Sequence, residues 1–572
     1  MEYERNFKLI NRKFIELLFP TIAVSIAGNF AVLIDAFLIS HILGSSYLSV
    51  VQSVQPIVLS ASVLYWMIGI GGGILCSIAK ADFNDDKGNM IFTVSLVSVV
   101  LIGLILAISI ILFPDFFSQL ICSSTELRPF VNQYLIFFGI GIPFLCHVAC
   151  IAYFIKSYGF IKLQFWAYLI ANVLNVAFDV VFMKYLNMGI AGAGLATSVG
   201  FIISAIFISS YFFNSKKPVK LVRVKLGIFF RYFGHVCKSG FSSSSINLYE
   251  SLRTFFINYL ITMIIGAVGL EAYNVYNNIL FIVMIFILGT VQSIVPIVTV
   301  YCKEEDYKGV AYVCDRSMKI VIGFGVFFTL LFIIFPEIAL FLFDVTNTDS
   351  IPVMLNAIRL TSLCFVGFAV SNLYVFYAQS AQHTKLSNFI SLFEGLIFPV
   401  LLSYILSHFW GINGIWISFA ISEALTILSI FIYSRYISKK TNNKYSGFFL
   451  IGHNDDETIF EYTINGNIND AHNLSKKVKE SIHDFKKSKD IGLAIDEMLV
   501  NIIEINDDVD LIDVSVRDKK ESIVISIKYS GIVFNPLEYE HSNDFALLKE
   551  LVDDVEYSQI LEINNIRITL KV

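Results

Sequence analysis

The sequence predicts an α-helical membrane protein with twelve transmembrane helices in two six-helix lobes, followed by a small C-terminal α/β domain. Of its 572 residues, 56% are hydrophobic and only 15% are charged, against about 25% charged in a typical soluble domain. The apolar residues are grouped into runs of bilayer length, since about 20 residues cross about 30 Å of hydrocarbon. After Lys440 the composition becomes rich in Asp, Glu, Lys and Asn. A wholly soluble protein is excluded, because this much exposed apolar surface would aggregate.

The individual spans follow from apolar runs separated by polar breaks. They are predicted at residues 14–40, 48–76, 90–113, 130–155, 163–185 and 190–214, and then at 240–264, 273–300, 318–343, 354–379, 386–408 and 411–436. A long polar break separates the two sets, which predicts an N-terminal lobe at 1–214, a linker at 215–239 and a C-terminal lobe at 240–440. Two six-helix halves suggest an internal repeat, the usual architecture of secondary transporters with a site between the repeats.

Basic residues predict the orientation of the spans. Lys and Arg are concentrated in the N-terminal segment, in the linker, in the segment after residue 434 and in the loops predicted on the same side of the membrane. The loops predicted on the other side hold only Arg128 and Lys184. We therefore expect a multi-pass protein of the cell membrane with both termini and the linker in the cytoplasm. The first apolar run is too long for a signal peptide and is predicted to remain as the first helix. The eight cysteines are scattered singly, which predicts neither disulfides nor a zinc site.

We single out five carboxylates inside predicted spans, where each costs at least ~2.5–3.5 kcal/mol on insertion scales. They are Asp35, Asp179, Glu250, Glu394 and Glu423. Asn175 precedes Asp179 by four residues, so these two side chains share one helix face. With Asp35 they offer hard oxygen ligands that suit Na⁺ or a transferable proton. We favour a functional role for this set.

The other three carboxylates have structural interpretations. Arg253 follows Glu250 by three residues, and this spacing favours an internal ion pair, so a structural and a functional role for Glu250 are weighed equally. For Glu394 and Glu423 we favour a structural role, near a helix end or facing a polar cavity.

The membrane part resembles the multidrug and toxic compound extrusion (MATE) transporters over about residues 10–437. The matching segments are 35–44 with Leu48 and Pro56, 175–179, 189–197 with its threonine, Gly240 with Glu250, and 411–416. Pro20 matches the proline at which the first helix bends in some members. Residues 301–306 depart from the glycine pattern usual after the eighth helix of the family, which leaves the branch of the family open.

The resemblance implies a cation site formed by Asp35, Asn175, Asp179 and Thr197, with Glu250 as a corresponding acid in the other lobe. Entry of Na⁺ or H⁺ there would drive export of small organic compounds, and the sequence leaves both the ion and the compound open. No resident cofactor is implied. The expected partners are the lipid bilayer, a small-molecule substrate and a protein partner of the cytoplasmic domain, without a nucleic acid.

Residues 445–572 are predicted to form the soluble domain, with strands at 522–528 and 566–572 and helices at 469–485 and 491–505. Segments 494–501, 531–536 and 551–557 resemble the histidine-kinase-like (GHKL) ATPase fold of anti-sigma-factor serine kinases. The resemblance implies a base at Glu497 and a magnesium ligand at Asn501. Gly531 would follow the adenine-contacting position. An ordinary helix face is the alternative interpretation of Glu497 and Asn501.

Two departures predict that this nucleotide site is degenerate. Tyr529 stands where the adenine-reading aspartate is expected, and residues 543–546 stand where phosphate-lid glycines are expected. Losing an adenine acceptor and flexible backbone donors weakens binding of Mg-ATP. We therefore favour a regulatory or partner-binding domain over an active ATPase and expect no enzymatic activity.

Two other functions stay open. A flippase for lipid-linked saccharide precursors shares the two-lobe architecture, but it would favour a cavity lined by Arg and Lys to hold pyrophosphate. Arg253 and Arg359 are the only Arg or Lys residues more than two positions inside the predicted spans. The other alternative is a membrane sensor or kinase that acts on a protein partner through its C-terminal domain.

Overall fold

The computed structural model describes residues 4–43, 45–121, 127–156, 158, 160–213, 219–342, 351–453, 457–481, 485–506, 509–519, 522–531 and 552–571. The N-terminal lobe contains α1 (Lys8–Ile42), α2 (Ser45–Ala81), α3 (Asp85–Leu112), α4 (Pro114–Ile121), α5 (Arg128–Lys156), α6 (Ile161–Asp179) and α7 (Ile190–Ile208). The C-terminal lobe contains α8 (Leu226–Ile265), α9 (Ala267–Lys303), α10 (Tyr307–Ile334), α11 (Glu337–Leu342), α12 (Ile351–Ser362), α13 (Phe365–Ser380), α14 (Thr384–Leu392), α15 (Phe398–Trp410) and α16 (Ile412–Lys440). A π-helix, Val180–Tyr185, continues α6, and another, Phe393–Ile397, joins α14 to α15.

The helices confirm a multi-pass membrane protein. Within the described residues, nine helical stretches are long and apolar enough to cross a bilayer. The pair α12 and α13, bent by 44°, makes a tenth if it is counted as one span. These ten correspond to the second to sixth and the eighth to twelfth predicted spans, and α1 and α8 occupy the chain positions of the first and seventh.

One helix extends into the region predicted as a linker. α8 begins at Leu226 and continues without a break to Ile265. Val236, inside the predicted linker, is fully buried, and its carbonyl oxygen lies against Gly71 of α2. The polar stretch that separates the two sets of predicted spans therefore includes the first turns of α8, which carry basic residues because only one side of the helix is packed.

The two lobes repeat one structural unit. α3 and α10 each have 28 residues and begin with a side-chain cap: Asn84 accepts from the backbone N–H of Lys87, and Asp306 accepts from that of Gly309. The residue before each cap has a positive φ, 55° at Phe83 and 60° at Glu305. We call residues 82–84 and 304–306 the paired turns, because they hold equivalent places in the two lobes.

The lobes are in contact at the end that carries the paired turns. Lys303 pairs with Asp82 at 2.8 Å, and the buried Lys156 Nζ donates to the Gln292 carbonyl at 3.0 Å. Farther along, α2 and α8 approach so closely that a Cβ on Gly240 would lie 1.9 Å from the Met67 carbonyl oxygen. A glycine at position 240 is therefore required for this contact between the lobes.

The C-terminal sheet region, meaning the described residues of 457–571, is an antiparallel sheet with two helices. It contains β3 (Glu457–Asn465), α17 (Ile468–Ser481), α18 (Phe485–Ile505), β4 (Leu511–Asp518), β5 (Ser522–Ser530), β6 (Asp554–Ile560) and β7 (Ile563–Lys571), with strand order β3-β4-β5-β7-β6. Alternate residues of β5, including Ile525 and Ile527, are buried in a core shared with α17 and α18. The opposite face of the sheet is mainly polar, with Ser526 and Lys528 of β5, because successive residues of a strand point to opposite faces.

A short hairpin, β1 (Tyr445–Ser446) and β2 (Ile451–Gly452), joins α16 to the sheet region. Its turn packs on the C-terminal lobe, with the Phe449 ring 4.8 Å from the Tyr377 ring and the Phe448 ring 5.1 Å from that of Tyr374. This apolar contact fixes the sheet region to the C-terminal lobe.

Replacing Gly240 by alanine is expected to separate α2 from α8, because a Cβ there overlaps backbone atoms that cannot rotate away. Gly234→Ala on the same helix is the matched control, since a Cβ at Gly234 meets nothing within 4 Å. Alanine is favoured over glycine in helices by up to about 1 kcal/mol, so the control should be neutral or stabilising. Thermal unfolding of both purified variants checks this. Equal midpoints would contradict the close contact at Gly240.

Candidate cation site

Four of the residues singled out from the sequence meet in the N-terminal lobe. Asp35 lies on α1, Asn175 and Asp179 lie one turn apart on α6, and Thr197 lies on α7. Asp179 is the last residue of α6 before the π-helix. α7 lies close to α6 because Gly200 faces it: a Cβ at Gly200 would lie 2.7 Å from the Ala171 carbonyl oxygen.

Asp35 and Asp179 form a carboxyl pair in which three of the four oxygens receive no hydrogen bond from the described residues. The two carboxyl groups are in contact with each other. Asp179 is fully buried, and among the described residues no donor reaches either of its oxygens or Asp35 Oδ1. Two buried carboxylates cannot both remain charged and unpaired, because desolvation and like-charge repulsion oppose it. The pair therefore has to hold a proton or a cation.

Neutral oxygen groups surround this pair. Asn175 Nδ2 donates to Thr197 Oγ1 at 3.1 Å, and the Tyr134 hydroxyl on α5 lies beside both carboxyl groups and hydrogen-bonds to Thr197. Carboxyl, amide and hydroxyl oxygens are the ligands that hard cations such as Na⁺ accept. Sequence reasoning missed Tyr134, because a single tyrosine in an apolar helix gives no signal of what it faces.

A second acidic cluster lies in the C-terminal lobe. Arg253 Nη2 pairs with Glu250 at 3.2 Å, so the ion pair predicted from their spacing is confirmed. Glu394 and Glu423 are buried and in contact with each other, and Ser371 Oγ donates to Glu423 at 2.8 Å. Arg253 also interacts electrostatically with both of these glutamates.

The two clusters differ in whether a cationic side chain compensates their negative charge. The pair at Asp35 and Asp179 has no cationic side chain among its described partners, whereas Glu250, Glu394 and Glu423 share the guanidinium of Arg253. The structure therefore brings Asp35, Asn175, Asp179 and Thr197 together and puts Glu250 in a separate cluster.

In the sheet region, Glu497 and Asn501 lie on α18 and Gly531 follows β5. Asn501 is largely buried, and Tyr529 is fully buried, so burial raises the pKa of its hydroxyl. A Cβ at Gly531 would lie 3.0 Å from Asn506 Oδ1. The predicted lid, with residues 543–546, and segment 532–536 lie outside the described residues.

Comparison with known proteins places the membrane part in a family. A family model described as MatE matches residues 20–181 and 243–405, one stretch in each lobe and together more than half of the chain. The multidrug export protein MepA of Staphylococcus haemolyticus (strain JCSC1435) is 21% identical over 433 residues, 72% of this chain and 91% of that protein. MepA of Staphylococcus aureus (strain MSSA476) is 19% identical over 403 residues, 69% of this chain and 87% of that protein.

Solved structures share the fold. One, described as the outward-facing conformation of a multidrug resistance MATE family transporter of the MOP superfamily, has a TM-score of 0.70 at 17% identity. The match covers 77% of this chain and 98% of that one. Another, described as MATE in the bent conformation, has a TM-score of 0.69 at 17% identity and covers 76% and 96% of the two chains.

Removing one charge from the carboxyl pair is expected to stabilise the protein when no coupling cation is present. Asp179→Asn keeps the shape of the side chain and removes the need for the pair to take up a proton when Na⁺ is absent, so we expect its unfolding midpoint in Na⁺-free buffer at neutral pH to rise by at least about 2 °C. Asp86→Asn, an exposed carboxylate on α3, is the control and should change little. A lower midpoint for Asp179→Asn alone would mean that a compensating group stabilises its charge.

Proposed function

The chain belongs to the MatE family, and we propose that it is a secondary antiporter that exports small organic compounds across the cell membrane in exchange for Na⁺ or H⁺. The observation that carries this proposal is the contact of Asp35 with the fully buried Asp179, in which three of the four carboxyl oxygens receive no hydrogen bond from the described residues. Such a pair is stable only when a positive charge is bound to it, and either Na⁺ or H⁺ can supply that charge. The named activity of the MepA relatives, multidrug export, agrees with it.

The site would act by alternating between a loaded and an empty state. Asp35 belongs to α1, whereas Asp179 and Asn175 belong to α6, so a bound cation draws the two helices together and its release lets the carboxyl groups repel. Pro20 interrupts the hydrogen-bond ladder of α1, which makes that helix the easier one to bend. We assign Glu250 an ancillary role as the counter-charge of Arg253.

The topology that goes with this function has twelve spans. α1 and α8 would add to the ten described spans, giving six in each lobe. The basic loops would lie in the cytoplasm, with the N-terminus, the C-terminus and the sheet region on that side. A lipid-linked saccharide flippase is less supported, because Arg359 is half exposed and pairs with Glu337 at 3.8 Å.

We also propose that the sheet region, a degenerate GHKL-like domain, regulates transport without binding Mg-ATP. The support comes from Tyr529, whose ring fills the domain core at the position expected to contact adenine. A phenol ring at this position cannot accept the hydrogen bond that an aspartate would accept from the adenine amino group.

The carboxyl pair predicts complete dependence of transport on Asp35 and Asp179. Asp35→Asn and Asp179→Asn should each reduce export of cationic dyes to background at normal expression, because a neutral amide takes up no proton and lacks the negative charge that holds a cation. Asp86→Asn should transport like the original protein. Measuring a dye panel with and without a Na⁺ gradient identifies the ion. Full transport by both carboxyl variants would disprove the assigned site.

The degenerate nucleotide site predicts that the full-length protein does not bind nucleotide. Titration with a fluorescent ATP analogue and Mg²⁺ should show no saturable binding up to about 1 mM. The same titration with EDTA is the control. Magnesium-dependent binding that Asn501→Ala removes would overturn this interpretation and restore an ATP-binding role for Glu497 and Asn501.

A further inference from the structure

The segment before α1 is bound along the free edge of the sheet region. β3 is one of the two outer strands of the sheet. Glu4 forms an antiparallel bridge with Tyr462 of β3, and the Asn6 N–H donates to Thr463 Oγ1 at 3.1 Å. We call residues 4–7 the strap. An extended segment that pairs with an exposed sheet edge forms main-chain hydrogen bonds, and these fix its position along the edge strand.

Arg5 of the strap is inserted between the sheet region and the C-terminal lobe. Its guanidinium makes a two-pronged pair with Asp306, at 2.7 Å to each oxygen, and Asp513 of β4 lies 3.4 Å from its Nε. The Arg5 side chain is only 6% exposed. The first turns of α1, at Ile10 and Phe14, share the apolar core of the C-terminal lobe, and the helix then continues to Asp35 beside α6 of the N-terminal lobe. Arg5 is therefore placed where the sheet region, the C-terminal lobe and the helix that leads into the N-terminal lobe meet.

Asp306 is saturated with donors. Besides Arg5, it accepts from the Gly309 N–H at 3.0 Å and from Lys528 Nζ of β5 at 3.1 Å. Burial opposes its charge, but the Arg5 and Lys528 cations outweigh burial and hold the pKa of Asp306 well below its usual value. The carboxylate stays charged as pH falls until that lowered pKa is reached, so the contact persists over the physiological range.

The sheet region contacts both paired turns. On the C-terminal lobe, Lys528 also pairs with Glu304 at 2.6 Å and Lys519 pairs with Glu305 at 2.8 Å. On the N-terminal lobe, the Arg567 guanidinium lies 5.9 Å from the Phe83 ring centre. Phe83 and Glu305 are repeat-equivalent, so the region spans the pseudo-symmetric junction of the lobes.

The two attachments differ in strength. The hairpin fixes the region to the C-terminal lobe through buried aromatic rings, Phe449 on Tyr377. Besides the strap, α1 pairs with the sheet region through charges that have an exposed partner, Arg12 with Asp510 at 3.2 Å and Lys13 with Glu562 at 3.4 Å, and such pairs contribute little. The Arg5–Asp306 pair of the strap is more deeply buried than either of these pairs.

We propose that the sheet region is a latch that receives the strap and so holds the two lobes together at the cytoplasmic end. Opening the transporter toward the cytoplasm separates the paired turns, and this requires Arg5 to leave Asp306 and Asp513. Release of the strap then precedes or accompanies inward opening. The inference rests on the proposed alternation of the lobes, but it does not depend on which ion or compound is carried.

The test measures the distance between the lobes directly. Spin labels at Asp86→Cys and Arg316→Cys, both exposed and on different lobes, report the gap in full-length protein in nanodiscs, with the native cysteines replaced so that only these two positions are labelled. Arg5→Gln and Asp306→Asn should each raise the long-distance population at least about tenfold, because a charge-assisted pair inside the fastening is lost. Arg12→Gln, which removes a neighbouring arginine with an exposed partner, should leave the distribution unchanged.

Two results would overturn the latch: an unchanged distribution in folded Arg5→Gln and Asp306→Asn, or an equal shift in Arg12→Gln. If the charge variants fail to fold, Thr463→Val carries the test. It removes the hydroxyl that accepts from the Asn6 N–H and donates to Asp513 at 2.7 Å, and it should shift the distances in the same direction by less. The distance measurement does not require transport. If Asp35→Asn and Asp179→Asn retained full transport, the proposed cation site would be disproved, but the distances measured in the Arg5 and Asp306 variants would still decide whether the latch exists.

Discussion

A carboxylate buried away from water needs a positive partner, and this constraint accounts for three different places in the protein. Asp306 has fixed cationic partners and stays charged. Glu394 and Glu423 share Arg253 with Glu250. Asp35 and Asp179 have no fixed cation among the described residues. Whether the partner is permanent or must arrive from solution separates structural acids from an exchangeable site.

The internal repeat decides where the sheet region can act. A two-lobe transporter changes state by moving one lobe against the other, so equivalent turns in the two lobes are the points whose separation changes with state. The sheet region contacts both turns, at Phe83 and at Glu305. A domain attached elsewhere on one lobe would move with that lobe and have no influence on the equilibrium.

Sequence reasoning found what depends on short spacing. The shared face of Asn175 and Asp179 and the ion pair of Glu250 and Arg253 follow from one helical turn, and the hydrophobic runs located the helices. It could not find Tyr134, whose role depends on the packing of α5 against α7. It treated Arg5 as one of many basic residues on the cytoplasmic side, since its partners Asp306 and Asp513 are hundreds of positions away.

α1 connects the two features that matter most. It begins at Lys8, just after Arg5, and it carries Asp35 toward its other end. A cation that changes the position of Asp35 relative to α6 therefore pulls on the same helix that the strap holds. If α1 bends at Pro20, its two ends move separately. If α1 moves as a rigid rod, binding of a cation at Asp35 also shifts Arg5. The unusual acidic turn at 304–306 is then explained by the contact it makes, because a small-residue turn would offer Arg5 and Lys528 no charge.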